Sequence, residues 1–293
     1  MDTSAVIEIK NVSKKFKGFE LSIDNLEIPE GFSTALIGEN GAGKSTLLNI
    51  LAGIRKDYNG EVSFFNQRFE GKDIRENIGY EGTDDFFLPH WTVKDIETVS
   101  KMLFESFNSD RYNMLCDELN ITETEKSFSK LSDGMKMKTI LSAVFARDTS
   151  LLLLDEPASP LDPLMRDKLC SMIRDYIDEG NGQKSVLFST HNISDMENVT
   201  DYAVIIEQGK VVEQGFVEDL KEKYVMVKGE TADESGKELV TNTLCGAAFS
   251  RYGFEGLCPA EDLDKLAGLD IAVETATLSQ ICVGVMKKYT LIH

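Results

Sequence analysis

The sequence predicts an α/β fold with a parallel-sheet core, an N-terminal antiparallel β subdomain, a helical insert and a small C-terminal α+β extension. Three observations support this prediction. Before residue 30 apolar and polar residues alternate, as in half-solvated antiparallel strands. From residue 34 onwards, short and wholly apolar runs alternate with helical stretches, which is typical of a parallel sheet covered on both faces. Between about residues 92 and 147 the pattern is helical throughout.

The individual elements follow from these patterns. The N-terminal alternation includes Val6, Ile7, Ile9, Val12, Leu21, Ile23, Leu26 and Ile28. The buried runs are residues 35–37, 151–154, 186–188 and 203–206. Thr92 followed by Asp95 has the spacing of a capping box, so we expect a helix to begin there. Gln208-Gly209-Lys210 lies between two apolar runs and predicts a hairpin.

The polar, glycine-bearing segment Val227–Gly236 predicts a linker. The predicted domains are therefore residues 1–226, with the helical insert at about 84–147, and a C-terminal extension at 227–293. In the extension, Ile271-Ala272-Val273 predicts a strand and Leu278–Tyr289 a final helix.

Composition limits the classes of function. The 293 residues carry a formal net charge of −19, so the overall field repels phosphate backbones and no nucleic-acid partner is expected. No apolar run reaches the roughly 20 residues that span a bilayer, and the first four residues do not resemble a leader, so we expect a protein that stays inside the cell. The five cysteines lack metal-site spacing and are expected to be reduced and structural.

A phosphate-binding loop follows the strand at residues 34–37. Glycines let several backbone N–H groups turn towards an anion, and the following helix adds the positive end of its dipole. This strand, loop and helix predict a P-loop NTPase core, with Lys44 on the phosphates and the Ser45 hydroxyl on Mg²⁺. The predicted nucleotide-binding residues of the loop are Asn40, Gly41, Ala42, Gly43, Lys44, Ser45 and Thr46.

A second chemical motif lies where the buried run Leu151–Leu154 ends in Asp155-Glu156. Parallel sheets bind ligands at such strand ends. Because neighbouring strand residues point to opposite sides, the two carboxylates are expected to have different roles. We expect Asp155 to hold Mg²⁺ and Glu156 to act on the attacking water.

Four further motifs complete the pattern. Leu131-Ser132-Asp133-Gly134-Met135 leads into a helix, Ser159-Pro160-Leu161-Asp162 follows the acidic pair, Ser189-Thr190-His191 ends a later strand, and the aromatic Phe16 lies in the N-terminal β region. With these motifs in this order, residues 5–222 resemble the ATP-binding cassette (ABC) family. The motifs correspond to the family's signature, D-loop, switch histidine and adenine-stacking aromatic.

The resemblance implies an ATPase that binds ATP and Mg²⁺ as a head-to-tail dimer, either a homodimer or a heterodimer. The signature residues Ser132 and Gly134 would act on ATP held by the other subunit. Asp162 of the D-loop would also bind nucleotide, and His191 would contact the γ-phosphate. The implied function is energy coupling to a separately encoded membrane permease, an exporter by the resemblance, on the cytoplasmic face of a bacterial membrane.

Two departures from the family pattern concern the signature and the Q-loop. Asp133 and Met135 replace the usual glycine and glutamine of the signature, as in some exporter ATPases. Thr83 stands where the family places the Q-loop glutamine, and it is the expected third Mg²⁺ ligand unless Glu81 or Asp84 substitutes for it.

Alternatives remain at this point. A soluble cassette that works as a conformational clamp in assembly, in translation or on DNA is the second hypothesis, and a regulatory subunit with little turnover is the third. Phe86, Phe87 and Trp91 are either core residues or an anchor for a partner's helix.

Overall fold

The computed structural model of the protein describes residues 4–67, 72–82, 87–230 and 234–292. Its strands are β1 Ala5–Phe16, β2 Phe19–Pro29, β3 Ser33–Ile37, β4 Asn59–Phe64, β5 Ile78–Glu81, β6 Leu151–Asp155, β7 Ser185–Thr190, β8 Tyr202–Glu207, β9 Lys210–Phe216, β10 Tyr224–Gly229, β11 Cys245–Ser250, β12 Gly253–Pro259 and β13 Ile271–Thr275. Its α-helices are α1 Lys44–Leu51, α2 Lys72–Glu76, α3 Val93–Leu103, α4 Ser109–Glu118, α5 Asp133–Phe145, α6 Pro163–Glu179, α7 Val217–Lys223, α8 Glu234–Thr243 and α9 Leu278–Ile292. Short 3₁₀ helices lie at Phe65–Gln67, Phe128–Lys130, Ile193–Asp195, Glu197–Val199 and Ala260–Leu266.

The N-terminal sheet is antiparallel, as predicted. It has the strand order β2-β1-β4, and β1 and β2 form a hairpin whose last pair is Phe16 and Phe19. The alternating apolar residues are buried on one side, where they pack with α1 and with one face of the main sheet. The hairpin therefore rests on the helix that follows the phosphate loop.

The main sheet has the order β5-β6-β7-β3-β8-β9. The strands from β5 to β8 in this order are parallel, and only the pairing of β8 with β9, through the predicted hairpin, is antiparallel. Strands β3, β6 and β7 are buried along their whole length, as the apolar runs predict. Because parallel strands end at the same edge, β3, β6 and β7 bring the phosphate loop, Asp155-Glu156 and His191 together.

The insert is helical in separate stretches rather than throughout, so that expectation is wrong in detail. Within its described part, α3 ends at Leu103, Phe104 follows in an extended conformation, and α4 begins after the N-cap Asn108. Asn120, with φ of 53°, then turns the chain after α4. The predicted capping box is confirmed: Thr92 accepts the Asp95 N–H, and the Asp95 carboxylate accepts the Thr92 N–H.

The linker predicted at Val227–Gly236 is wrong, because residues 224–229 form strand β10. Val225 and Val227 of this strand pack in the hydrophobic cluster that includes Val240 of α8, and α8 already begins at Glu234. The boundary predicted between residues 226 and 227 consequently falls inside a strand. We propose that the extension begins at β10, since this strand lies in the C-terminal sheet.

The extension is a split βαβ arrangement. Its antiparallel sheet has the order β11-β12-β10-β13, with α8 between β10 and β11 and a 3₁₀ helix before β13. The predicted strand and final helix are both confirmed, as β13 and α9. Leu278, Ile281 and Cys282 of α9 are buried in the same core as the cassette residues Met196 and Val199.

Two further expectations concern the cysteines and membrane-spanning helices. All five cysteines are free and buried, as expected. In the part of the chain that the structure describes, we find no helix that is both long and apolar enough to cross a membrane.

Candidate active site

The phosphate loop joins β3 to α1 and needs glycine at two positions. Gly41 and Gly43 have φ values of 88° and 110°, in the left-handed region that L side chains avoid. A Cβ at Gly43 would also lie only 3.0 Å from the Phe19 ring. The buried Lys44 side chain folds back over the loop, and its Nζ donates to the carbonyl oxygens of Gly38 and Glu39 at 2.7 and 3.2 Å.

The three predicted catalytic residues are in direct contact. Lys44 Nζ lies 3.2 Å from Glu156 Oε1, and His191 Nδ1 lies 2.6 Å from Glu156 Oε2. An ionised carboxylate can only accept, so Nδ1 donates this hydrogen bond and Nε2 remains available for another group. Glu156 itself has φ of 57°, which turns it out of the line of β6. The structure thus gathers the residues of three separate motifs.

Asp155 occupies a different position from Glu156, as the sequence predicts. Its side chain is 1% exposed, and its Oδ1 accepts a hydrogen bond of 2.5 Å from the Ser189 hydroxyl. The other oxygen, Oδ2, is buried and has no hydrogen-bond partner within the described residues. Buried carboxylate oxygens are normally satisfied, and Mg²⁺ binds such oxygens. The donor set of Asp155 and the half-buried Ser45 therefore fits the predicted metal.

Ser189 has a role that the sequence reasoning missed. Besides donating to Asp155, its hydroxyl accepts the backbone N–H of Glu156 at 2.9 Å. One hydroxyl on β7 thereby fixes both acidic residues at the end of β6. The sequence analysis had singled out the motif Ser189-Thr190-His191, but the role of Ser189 follows from its pairing with Asp155 across the parallel strands, which only the structure shows.

Glu81, at the end of β5, is the second residue whose role was missed. Its Oε2 accepts the backbone N–H of Asp155 at 3.0 Å. Burial raises the pKa of the Glu81 carboxyl to about 8, and the neighbouring charge of Asp155 acts in the same direction. Thr83, the predicted metal ligand, and Asp84 lie outside the described residues, so their roles stay predictions.

The signature and the D-loop lie at helix N-termini. Ser132 is the N-cap of α5 and accepts the Met135 N–H at 3.3 Å, and Asp162 is the N-cap of α6 and accepts the Met165 N–H at 3.1 Å. Both residues are exposed, and within the described chain no hydrogen bond joins them to the Lys44–Glu156–His191 group. Gly134, in the first turn of α5, is half-buried.

Phe16 lies beside the phosphate loop. Its ring is 39% exposed and is centred 6.1 Å from the Phe19 ring, which in turn approaches Gly43. The Arg55 guanidinium lies 5.1 Å from the Phe16 ring centre. The partly exposed Phe16 ring, which is connected to the loop through Phe19, offers an aromatic surface suited to stacking on a base.

Comparisons with known proteins agree with this geometry. The sequence model described as "ABC transporter" matches residues 21–159. The "Probable sulfate/thiosulfate import ATP-binding protein CysA" of Chlorella vulgaris is 30% identical over 226 residues, which cover 74% of this chain and 93% of that protein. The chain belongs to the ATP-binding cassette family. As a member of this family it binds ATP and is an ATPase.

Other relatives of this ABC protein differ in length. The "ABC transporter ATP-binding protein YtrB" of Bacillus subtilis is 27% identical over 225 residues, covering 76% of each chain. The chain spans only 15% and 14% of two human relatives, members 10 and 6 of ATP-binding cassette sub-family A. A solved structure titled "Structure of ATP binding subunit of ABC transporter" shares the fold, with a TM-score of 0.65 and 24% identity over 74% of this chain and 92% of that one.

Proposed function

We propose that the chain is the ATP-hydrolysing subunit of an exporter whose permease is a separate protein. Two cassettes close head to tail on two ATP molecules with Mg²⁺, and closure and reopening drive the permease from the cytoplasmic face of the membrane. The observation that carries this proposal is the contact of Lys44, Glu156 and His191 at the edge of the main sheet.

Each of these residues has a chemical role in the proposal. Lys44 and the loop N–H groups bind the phosphates, and Glu156 orients the attacking water and accepts its proton. His191, held by Glu156 through Nδ1, contacts the γ-phosphate. Asp155 Oδ2 and the Ser45 hydroxyl hold Mg²⁺, with Thr83 as the further expected ligand. Mg²⁺, when bound, neutralises charge on the transferring phosphoryl group.

The exposed helix starts support a site shared between two subunits. Ser132 and Gly134 begin α5, and Asp162 caps α6, so both helix N-termini present positive dipole ends near the surface. The phosphate loop of the same chain already serves its own phosphates. We therefore assign the signature to ATP bound by the partner cassette.

Phe16 supplies the predicted base contact, and this can be tested by affinity. Stacking of a base on an aromatic ring contributes about 1–3 kcal/mol, so Phe16→Ala should weaken ATP binding by about tenfold while a phosphate-only ligand binds as before. Titration of both ligands into the purified chain measures this. Phe249→Ala, in the extension and also partly exposed, is the matched control and should leave both affinities unchanged.

A groove of about 690 Å³ is the surface that best fits the permease. It runs between the end of α1 and the helices α3 and α5, and its apolar wall includes Ile54, Phe87 and Phe104. Its lining residues include four cations, Arg55, Lys56, Arg75 and Arg147, and no acid is found among the described ones. Arg55 is already paired with Asp57, and Arg147 with Glu76 and with backbone carbonyls, so the groove favours a short segment that is bound mainly through its apolar side chains.

The predicted partner anchors relate to this groove in different ways. Phe87 is 8% exposed and lines the groove as part of the core. The half-buried Trp91 packs beside it, with ring centres 6.3 Å apart. Phe86 lies outside the described residues. The exposed Ile54 is therefore the better position at which to test the groove.

Replacing Ile54, which is 56% exposed, with Asp should weaken permease binding without affecting the fold. Asp at this position replaces apolar contact with a charged group that loses its water in the interface, and we expect about tenfold less permease to co-purify, equivalent to roughly 1.4 kcal/mol. Met114→Asp, on the exposed side of α4, is the control. Equal recovery of permease with both variants would contradict the assignment of the groove.

The proposal as a whole is tested by identifying the partner. The tagged chain is purified from gently solubilised membranes with and without Mg·ATP, and co-purifying proteins are identified by mass spectrometry. We expect a permease with several membrane spans. Ribosomal, nucleic-acid or assembly partners in the soluble fraction alone would overturn the transport function.

The direction of transport needs a separate experiment. Asp133 and Met135 in the signature resemble those of some exporter ATPases, whereas the CysA relative is named as a probable sulfate/thiosulfate import protein. Inside-out vesicles that contain the complex should accumulate the transported substance when ATP is added outside. Release from such preloaded vesicles would indicate import.

A further inference from the structure

The end of strand β5 contributes to the position of Asp155. β5 is the edge strand of the main sheet and pairs with β6 in parallel as far as Glu81 and Leu154. β6 continues by one residue to Asp155, which still pairs with Ser189 of β7 on its other side. Asp155 therefore lies one residue beyond the last paired residues of β5 and β6, and its backbone N–H faces the end of β5.

The side chain of Glu81 satisfies this N–H group. Its Oε2 accepts from Asp155 N at 3.0 Å, and the Glu81 side chain is 1% exposed. The acceptor comes from a side chain at the point where the backbone ladder has ended. Removing this acceptor would leave the Asp155 N–H without the partner that the structure shows for it, and a buried unpaired N–H is costly.

Asp155 is thus restrained at two groups. Glu81 holds its backbone N–H, and the Ser189 hydroxyl holds its Oδ1 at 2.5 Å. These two contacts leave Oδ2 as the oxygen without a partner in the described chain. Glu81, Asp155 and Glu156 also line one cavity of about 330 Å³, so the Glu81 contact lies beside both acidic residues and not deep in the core.

We propose that Glu81 is a positioning residue, which fixes the backbone of Asp155 and so aims Oδ2 for Mg²⁺. The inference rests on the proposed role of Asp155 as a metal ligand. Groups that orient a metal ligand typically change metal affinity by about 10–100-fold when they are removed. Glu81 should accordingly affect the requirement for Mg²⁺ more than the binding of ATP without metal.

Three variants of Glu81 separate the hydrogen bond from other properties of the side chain. Glu81→Gln keeps an acceptor oxygen at the same distance along the side chain. Glu81→Leu keeps a similar volume without an acceptor. Glu81→Asp keeps the carboxyl but is shorter by one carbon, so it cannot place the oxygen at the same point. Ile78→Ala, in the same strand, is the control for a general loss of stability.

The measurement is ATP binding by the full purified chain, titrated with Mg²⁺ and repeated in excess chelator. We expect Glu81→Leu to raise the half-saturating Mg²⁺ concentration by about tenfold or more, and Glu81→Asp to raise it less. Binding in chelator should match the wild type. Glu81→Gln should stay within about twofold of the wild type, and Ile78→Ala should lower the melting temperature without changing the Mg²⁺ requirement.

Two results in the Glu81 variants would overturn the inference. The first is a wild-type Mg²⁺ requirement in Glu81→Leu, or in Glu81→Asp if the Leu variant does not fold. The second is a Gln variant that is as impaired as Glu81→Leu. An equal shift in Ile78→Ala would also overturn it, since the effect would then be general destabilisation. Asp155→Asn is measured alongside. If it raises the Mg²⁺ requirement and the Glu81 variants do not, only the role of Glu81 fails; if neither does, the metal assignment of Asp155 fails with it.

Discussion

Glu156→Gln should bind ATP and hardly turn it over. The amide keeps the shape of the side chain and can still contact His191, but it cannot accept a proton from water. General-base catalysis contributes about 10²–10⁴-fold, so we expect turnover to fall by that factor. The loss of the ion pair with Lys44, 3.2 Å away, should leave Lys44 at least as available to phosphates as before.

The same variant should accumulate as an ATP-bound dimer, because hydrolysis is the step that reopens the cassettes in the proposed cycle. Size-exclusion chromatography with ATP and a single-turnover assay of phosphate release measure the two effects. Glu218→Gln, a change of the same kind at an exposed position of α7, is the control and should resemble the wild type. Wild-type turnover in Glu156→Gln would remove Glu156 from the role of base.

Local sequence patterns predicted the elements that depend on neighbouring residues. The run Leu151–Leu154 is apolar on both faces because β6 is buried on both faces, and the spacing of Thr92 and Asp95 is itself the capping box. The phosphate loop is also indicated by a local pattern, because the turn itself requires the positive φ of Gly43. In each case the pattern that indicates the element lies within a few residues of the chain.

The errors and omissions arise where the cause is distant in sequence. Val227–Gly236 is polar and has a glycine, yet Val227 and Gly229 pair with β12 and β13, which come later in the chain. The contact between Glu81 and Asp155 joins residues 74 positions apart, and the shared hydroxyl of Ser189 acts on Glu156 from 33 positions away. Such contacts depend on strand order and register, which composition and spacing do not specify.

The position of the signature relative to ATP also depends on a contact that local sequence does not specify. In the proposal this contact is made between two chains. Ser132 and Asp162 are exposed and cap helices, but neither bonds to Lys44, Glu156 or His191 within the described residues of their own chain. This arrangement is expected if the two halves of each ATP site come from different subunits of a two-fold dimer. It leads to a mixing experiment.

Chains carrying Lys44→Ala should be inactive, and so should chains carrying Ser132→Arg, because each dimer then lacks the same half of both sites. Mixed dimers of the two variants have one site with both defects and one with neither. Random mixing at equal concentrations makes half of the dimers mixed, so about one quarter of the wild-type sites should be intact. ATP turnover in the mixture should therefore rise well above that of either variant alone.

The control for mixing is Lys44→Ala combined with a chain that carries both changes, since this mixture contains no intact site in any arrangement. Ser132→Arg also removes the N-cap of α5, at a cost of about 1 kcal/mol in the free energy of unfolding, which a domain of this size tolerates. Melting temperatures of all chains verify this. Recovery in the first mixture and not in the control requires that Ser132 of one chain act on ATP bound at Lys44 of the other, whereas no recovery would place both halves of the site in one chain.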